Sequence, residues 1–149
     1  MGSNRGDRER YLQSAMVALS AAGLRVLNIS PMLETQPLAT PGRRRFLNCV
    51  VAAETDLSPR LLLRRLRRIE HGHGRHGQPR ANLPRTLDLD LIFYGQAHIQ
   101  TPELQVPHPR FAQRPFVLTP LAAIAPGLRP PGCNRTAAQL ARRLSSDRF

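Results

Sequence analysis

Two hydrophobic periods run along the chain, and they predict alternating helices and strands. Apolar residues at helical spacing predict helices over 8–22, from 58 onward, near 114–125 and near 136–144. Alternating or continuous apolar runs predict strands over 24–30, 45–55 and 87–94, with a shorter strand at 98–99. The segments 31–44 and 71–86 lack a period and are predicted to be loops. This order predicts an α+β fold in which helices flank a mixed, mostly antiparallel sheet.

The composition fits one globular domain and argues against two other classes. The 149 residues are 41% hydrophobic, and no apolar run approaches the roughly 20 residues needed to span a bilayer. These features argue against a membrane protein and against a disordered tail. Cys49 and Cys133 form no disulfide framework, and Cys49, in an apolar run, is predicted to be a core residue. Without a signal peptide at its start, the chain is expected in the cytoplasm.

The chain carries a strong positive charge that comes entirely from arginine. Its 22 basic residues are all arginine and face 10 acidic residues, which gives a formal net charge of +12. Because a guanidinium group grips phosphate through two parallel hydrogen bonds, this charge favours nucleic acid, nucleotide phosphates or an anionic surface as the partner. General use of arginine in place of lysine also fits a bias in genomic base composition, so the position of each arginine has to decide its role.

The segment Leu87-Asp88-Leu89-Asp90-Leu91 carries the clearest chemical signal. Strand periodicity puts the three leucines on one face and both aspartates on the other, with the aspartate Cα atoms about 7 Å apart. Two carboxylates at that distance can share one or two divalent cations. Two solvated aspartates on an open sheet face are the alternative. Because the segment is apolar on both faces after Asp90, the pair lies at the mouth of a covered sheet, which favours a metal site.

Charged residues also cluster in the sequence around this aspartate pair. The loop before it is flanked by Glu70, Arg75, Arg80 and Arg85, and the residues that follow it include His108, Arg110 and Arg114. Divalent ions together with several guanidinium groups are the usual electrostatic means of phosphoryl transfer, in which positioning and charge neutralisation supply most of the catalysis. The chain has no lysine and therefore no P-loop, and it shows no glycine-rich kinase signature.

Several sequence blocks, taken in order, resemble those of a known family. They are Gly2-Ser3-Asn4, Glu34-Thr35-Gln36-Pro37, Phe46-Leu47-Asn48, Ile69-Glu70, Gly74-Arg75, Pro84-Arg85-Thr86-Leu87-Asp88-Leu89-Asp90, Val106-Pro107-His108-Pro109-Arg110 and Arg114-Pro115-Phe116-Val117-Leu118. From Gly2 to about Pro126 the chain resembles 6-hydroxymethyl-7,8-dihydropterin pyrophosphokinase of folate synthesis. The blocks 84–90 and 106–110 are highly specific, whereas Gly-Ser-Asn alone carries little weight.

The resemblance implies a single domain over 1–149 with a ferredoxin-like α/β sandwich. It implies an enzyme that transfers the β,γ-diphosphate of ATP to the hydroxymethyl oxygen of the pterin and releases AMP. The implied partners are ATP, two Mg²⁺ ions and 6-hydroxymethyl-7,8-dihydropterin, with no nucleic acid and no membrane. A monomer is expected.

The same resemblance implies roles for individual residues. Asp88 and Asp90 resemble the ligands of the two Mg²⁺ ions, and Arg75 and Arg85 resemble the catalytic basic residues beside the transferring group. The implied nucleotide contacts are Glu70, Arg80, His108, Arg110 and Arg114. The implied pterin contacts are Thr35, Leu38, Phe46, Asn48 and Phe116. In this assignment the asparagine reads the amide edge of the pterin and the two phenylalanines enclose its ring, for which core packing is the alternative.

The chain departs from the family pattern in three places. Only Met1 precedes Gly2-Ser3-Asn4, where the family has a complete strand. We therefore expect either that the chain lacks this strand or that the start of the chain has been assigned too late. His76-Gly77 stands where the family has a further loop arginine. Ala81-Asn82 stands near the family's second loop arginine, for which Arg80 could substitute by a one-residue slip, and Leu83 stands in place of Gly or Ala.

The histidines of this loop suggest a metal cluster at first sight. His71, His73 and His76 have no Cys or acidic partner at ligand spacing, however, and they are predicted to be solvated loop residues.

Two other functions fit part of the sequence. A basic nucleic-acid-binding module with a ferredoxin-like fold fits the charge of +12. It requires exposed aromatic residues on the sheet, and the few aromatic residues of this chain do not cluster in that way. A degenerate paralogue that binds pterin or nucleotide without turnover fits the altered loop.

Overall fold

The structure, a computed structural model, describes residues 1–36, 44–74 and 86–146. The helices in these ranges are α1 (Arg8–Ala21), α2 (Pro59–Gly72), α3 (Pro115–Ile124) and α4 (Ala137–Ser146). The strands are β1 (Gly2–Ser3), β2 (Arg25–Ile29), β3 (Leu33–Thr35), β4 (Phe46–Asn48), β5 (Val51–Glu54), β6 (Ile99–Gln100) and β7 (Gln105–Val106). A short 3₁₀ helix, Phe111–Gln113, precedes α3. The predicted α+β class is confirmed.

The first two helices begin at side chains that cap them. The Asp7 carboxylate accepts a hydrogen bond from the Arg10 N–H at 3.1 Å, and Ser58 Oγ accepts one from the Leu61 N–H at 3.4 Å. Pro59 occupies the first turn of α2, where its missing N–H costs nothing. These local signals explain why the predicted starts of both helices agree with the structure.

Every strand pairing among the described residues is antiparallel. β4 lies between β1 and β3, β2 pairs with β5, and β6 pairs with β7. Beyond β1 the sheet continues through a bridge in which Gly2 and Asp88 exchange two backbone hydrogen bonds of 2.9 and 2.8 Å. The order across the sheet is therefore Asp88, β1, β4 and β3.

The structure corrects three predictions about strands. Residues 33–35 lie in a predicted loop but form β3, because they pair with β4. The predicted strand 45–55 is two strands, since the Cys49 N–H donates to Met1 O whereas the Val50 N–H donates to Ser30 Oγ, and the chain thus passes from one sheet to the other. Within segment 87–94 only Asp88 forms a β-bridge, and further along the Ile92 carbonyl accepts the backbone N–H of His108, which lies in no strand.

The first strand of the structure is short. Gly2 and Ser3 themselves form β1, which pairs with β4 on one side and meets Asp88 on the other.

Two apolar clusters form the core of the described part of the chain. α1 and α2 pack around the first, which contains Leu87, Leu89 and the buried Cys49. α3, α4 and the short 3₁₀ helix form the second, against which Ile92 and Phe93 pack. The segment after Asp90 therefore contacts both clusters, as its apolar character on both faces predicts. No helix in the described ranges has the length and apolar character that crossing a bilayer requires.

His73 is not the solvated loop residue that the sequence predicts. It is half-buried at the end of α2, with Nδ1 2.8 Å from Ile69 O and Nε2 2.9 Å from Ser14 Oγ on α1. The imidazole thus connects the two helices of the first cluster. His71 lies in the last turn of α2, and His76 lies outside the described residues.

Candidate active site

The strand register places chemically distinct residues on one face of the sheet. Asn48 pairs with Gly2, and Gly2 meets Asp88 on its other side. Residues directly opposite each other project from the same face, so Asn48 and Asp88 lie on one surface, two strand spacings or about 10 Å apart. Phe46 shares this face by its spacing from Asn48, and Thr35 shares it by pairing with Phe46. Three predicted pterin residues and one predicted metal ligand are thereby brought together.

The side chain of Asn48 has a fixed orientation. The residue is only 8% exposed, and its Nδ2 donates a hydrogen bond to Thr35 Oγ1 at 2.9 Å. A primary amide has a second N–H and a carbonyl oxygen. Asn48 can therefore offer a paired donor and acceptor to the edge of a planar ligand while Thr35 holds it in place.

The aspartate pair shows the predicted alternation. Leu87 and Leu89 are buried in the first cluster, whereas Asp88 is half-buried and Asp90 is exposed. The two carboxylates therefore project away from the leucine face.

Glu70 holds the backbone between the two aspartates. Its Oε1 accepts a hydrogen bond from the Leu89 N–H at 2.7 Å, and the residue is only 5% exposed. The family resemblance implies a nucleotide contact for Glu70, which stays a prediction, but the contact in the structure is to the protein backbone. A signal for this was present in the sequence, because Glu70 continues the four-residue spacing of the buried Leu62 and Leu66 on α2.

Arg114 connects the metal-binding and pterin-binding predictions. Its Nη1 lies 3.2 Å from Asp90 Oδ2, and its side chain is only 16% exposed. The guanidinium carbon lies 5.5 Å from the centroid of the Phe116 ring, a cation–π arrangement. Asp90, Arg114 and Phe116 therefore lie side by side at the start of α3.

The backbone N–H of Arg110 fixes the tautomer of His108, because His108 Nδ1 accepts a hydrogen bond from it at 3.1 Å. The backbone N–H of His108 itself donates to the Ile92 carbonyl at 2.8 Å. Burial lowers the pKa of His108, as do the cations of Arg114 and Arg110, and Asp90 opposes this effect only in part. Because Nδ1 is an acceptor and the ring favours its neutral form, the proton lies on Nε2, which can donate to a ligand.

A cavity of about 300 Å³ opens beside Asp90 and His108. Its apolar lining comes from Leu63 of α2, Leu89, Leu91 and Leu104, and the hairpin of β6 and β7 adds Glu103 and Gln105. The sequence did not point to Leu63, Glu103, Leu104 or Gln105, since nothing local shows that α2 and this hairpin face each other. The lining thus combines leucine side chains with the polar groups of Asp90, Glu103, Gln105 and His108, a mixture that suits a nucleotide base and its sugar.

The donor set at the aspartates fits magnesium that arrives with a polyphosphate. In the described ranges, no group of three or more His, Cys, Asp and Glu side chains is arranged to hold a metal ion. Mg²⁺ is usually bound by one or two carboxylates, with water and substrate phosphates completing its octahedron. Asp88 and Asp90 supply such a pair, and the contact of Arg114 with Oδ2 of Asp90 leaves its Oδ1 for a cation.

Four predicted site residues lie outside the described ranges. They are Leu38, Arg75, Arg80 and Arg85. Their roles stay predictions.

Comparisons with known proteins show the family of this chain. The family model of 7,8-dihydro-6-hydroxymethylpterin-pyrophosphokinase matches residues 1–126. The 2-amino-4-hydroxy-6-hydroxymethyldihydropteridine pyrophosphokinase of Bacillus subtilis is 42% identical over 125 residues, which cover 83% of this chain and 74% of that protein. The enzyme of the same name from Pseudomonas aeruginosa is 39% identical over 132 residues, covering 88% and 81%.

A plant relative is longer. The mitochondrial folate synthesis bifunctional protein of Pisum sativum is 40% identical over 121 residues, which cover 81% of this chain but only 23% of that protein. The family model covers the sequence blocks that carry the site, and the bacterial relatives cover most of the chain. The chain belongs to the 7,8-dihydro-6-hydroxymethylpterin-pyrophosphokinase family.

Proposed function

We propose that the chain transfers the β,γ-diphosphate of ATP to the hydroxymethyl oxygen of 6-hydroxymethyl-7,8-dihydropterin and releases AMP, as a step in folate biosynthesis. Its family makes it an ATP-dependent diphosphokinase. The observation that carries the assignment is the placement of Asn48 and Asp88 on one sheet face, on either side of Gly2. A flat ligand read by Asn48 at one end can place its other end beside the aspartates.

The pterin subsite in this proposal is the surface of β3 and β4. Asn48 uses one side-chain N–H for its hydrogen bond to Thr35. Its second N–H and its carbonyl oxygen form hydrogen bonds with the amide edge of the pterin. Phe46 shares the face with Asn48, and Phe116 lies at the start of α3, which packs against β3. The two rings supply the apolar faces that a flat heterocycle requires. Thr35 and Leu38 contribute backbone contacts.

The phosphate subsite is the aspartate pair with its arginine. Asp88 and Asp90 would hold two Mg²⁺ ions, which when bound neutralise the triphosphate and polarise the attacking hydroxyl. Arg114 keeps the Asp90 carboxylate oriented through its 3.2 Å contact. In the transfer, a bond forms between the pterin oxygen and the β-phosphorus as the bond from that phosphorus to the α,β-bridging oxygen breaks. The bridging oxygen leaves with AMP, and the proton of the hydroxyl group passes to water. Arg75 and Arg85 neutralise the charge that develops there, and Arg80 substitutes for the family's second loop arginine.

The nucleotide subsite is the cavity beside Asp90. In this proposal its leucines enclose the adenine and the phosphates extend toward Asp90, which lines the same cavity. His108 donates its Nε2–H toward the phosphates, and Arg110 and Arg114 add positive charge on the same side. Glu70 supports this subsite from beneath, through the Leu89 backbone.

The proposal also covers the setting of the reaction. ATP and the pterin are the partners, with no nucleic acid and no membrane among them, and the chain acts as a cytoplasmic monomer.

The test is an assay of AMP release with ATP, Mg²⁺ and 6-hydroxymethyl-7,8-dihydropterin. We expect AMP and the pterin diphosphate in equal amounts, and no AMP when either the pterin or Mg²⁺ is left out. A degenerate paralogue would bind pterin and ATP in calorimetry yet release no AMP, and that result would overturn the proposal. AMP release that is independent of the pterin would reject the assigned acceptor.

A further inference from the structure

We infer that Gly2 is a positioning residue for substrate recognition: its missing side chain gives the Asn48 amide its place and leaves the path from Asn48 to Asp88 open. The inference rests on the proposed function, and it adds a residue for which the resemblance gives no role. Gly2 lies in β1 between Asn48 on β4 and Asp88. A side chain at this position would project from the same face as both of them.

The space above Gly2 is already taken by Asn48. A methyl group built on Gly2 collides with Asn48 Oδ1 and lies 3.5 Å from Asn48 Cγ. The backbone of Gly2 has no unusual torsion angle that would by itself require glycine, because its φ is not among the positive values of this chain. Glycine is thus needed here because of the neighbouring side chain and not because of backbone conformation.

Neither partner can easily yield to a methyl group. Asn48 is 8% exposed and its Nδ2 is bound to Thr35 Oγ1 at 2.9 Å, so rotation of the amide breaks that hydrogen bond. β1 cannot withdraw, because Gly2 exchanges backbone hydrogen bonds of 2.9 and 2.8 Å with Asp88. Rotation of the Asn48 amide costs less than displacement of β1, because the amide loses one hydrogen bond whereas the strand would lose two. In a Gly2→Ala chain the amide of Asn48 is therefore the group that turns away.

The consequence for the substrate is specific to the pterin. Turning the amide misplaces the donor and acceptor that read the pterin edge, and it places a methyl group on the floor between Asn48 and Asp88. The loss of about two hydrogen bonds predicts a KM for the pterin raised roughly tenfold or more, with the KM for ATP within about twofold of wild type. Gly127→Ala is the matched control, because a methyl group there meets nothing within 4 Å.

A double-mutant cycle with Asn48→Ala separates this role from a general structural one. If Gly2 acts through Asn48, then Gly2→Ala should add less than about twofold to the pterin KM once Asn48 is already alanine. The measurements are KM for both substrates, pterin binding by calorimetry, and thermal melting of the four chains.

Two results would overturn the inference while leaving the proposed function standing. One is a wild-type chain that releases AMP together with a Gly2→Ala chain whose pterin KM is unchanged. The other is a Gly2→Ala effect that persists in full in the Asn48→Ala background, which would show that β1 itself has shifted. A wild-type chain that releases no AMP would instead reject the proposed function, and calorimetry with the pterin would still test Gly2.

Discussion

Replacement of Glu70 by alanine should disturb the aspartate pair from beneath. Glu70 Oε1 accepts the Leu89 N–H at 2.7 Å, and both residues are buried. A buried amide that loses its acceptor costs about 1–3 kcal/mol of unfolding free energy. For a chain of this length about 1 kcal/mol corresponds to roughly 2–4 °C in Tm, so a loss of about 2 kcal/mol predicts a Tm lower by about 4–8 °C.

Glu70→Gln provides the informative comparison. Glutamine keeps a carbonyl oxygen for the Leu89 N–H but loses the charge, and charge-assisted hydrogen bonds are roughly twice as strong as neutral ones. We therefore expect about half the loss of stability seen with alanine. In both variants we also expect kcat to fall by a larger factor than the KM for the pterin changes, because a small displacement of Leu89 moves Asp88 and Asp90 together. The fall in kcat should be larger in the alanine variant than in the glutamine variant.

The assays are thermal unfolding monitored by circular dichroism and AMP release at saturating ATP over a range of pterin concentrations. Glu54→Ala is the control, since that exposed carboxylate pairs with Arg25 on the surface and its loss should cost at most about 1 kcal/mol. A Glu70→Ala chain that melts with wild type, or a Glu70→Gln chain as unstable as the alanine variant, would refute the hydrogen-bond argument.

Three further predictions follow from other parts of the structure. Asp88→Ala and Asp90→Ala should each abolish turnover while far-ultraviolet circular dichroism stays unchanged, because each removes a proposed Mg²⁺ ligand and with it several kcal/mol of transition-state stabilisation; wild-type rates in the double variant would reject the metal site. Since the pKa of His108 is lowered from its ordinary 6.5, the unfolded chain binds more protons, so the unfolding free energy should fall as pH drops below about 6.5. The unfolding free energy of the His108→Gln chain, measured by urea titration, should fall less below that pH than the unfolding free energy of the wild type. Parallel plots of unfolding free energy against pH for the two chains would contradict this. Ser3→Ala should leave stability unchanged or raise it by about 1 kcal/mol, because Ser3 Oγ is buried and has no hydrogen-bond partner among the described residues, whereas Ser30→Ala, which removes the acceptor of the Val50 N–H, should lower it.

Local signals explain which parts of the fold could be predicted. Ser58 and Pro59 define the start of α2, and the alternation of Leu87, Asp88, Leu89 and Asp90 defines two faces, because these features depend only on neighbours in the chain. β3 could not be predicted in this way. Its three residues lie in a segment of loop-like composition and become a strand only by pairing with β4, more than ten residues away.

Contacts between side chains that are far apart in the sequence could not be predicted from local patterns either. His73 has loop-like neighbours in the sequence, yet its ring meets Ser14, which lies 59 residues away. The cavity beside Asp90 combines α2 with the hairpin of β6 and β7, and no local pattern indicates that meeting. For Glu70 the position on the buried face of α2 was visible, but its partner, the Leu89 N–H, was not.

The register of β1 decides whether the predicted residues form one site. Asn48 and Asp88 are far apart in the chain, and the sequence alone gives each a face but not a shared one. Both residues pair with Gly2, so their side chains project from the same face of the sheet as the position of Gly2. A slip of one residue would place Ser3 opposite them and reverse the faces of β1, since side chains alternate with a period of two. Ser3 would then project between the amide and the carboxylate, where a methyl group on Gly2 already collides with Asn48. The same slip would turn Gly2, which has no side chain, toward the core that the fully buried Ser3 now faces. The order of Gly2 and Ser3 therefore favours the register that opens the site, and this links the Gly-Ser-Asn block to the reaction by a physical reason that the block alone does not show.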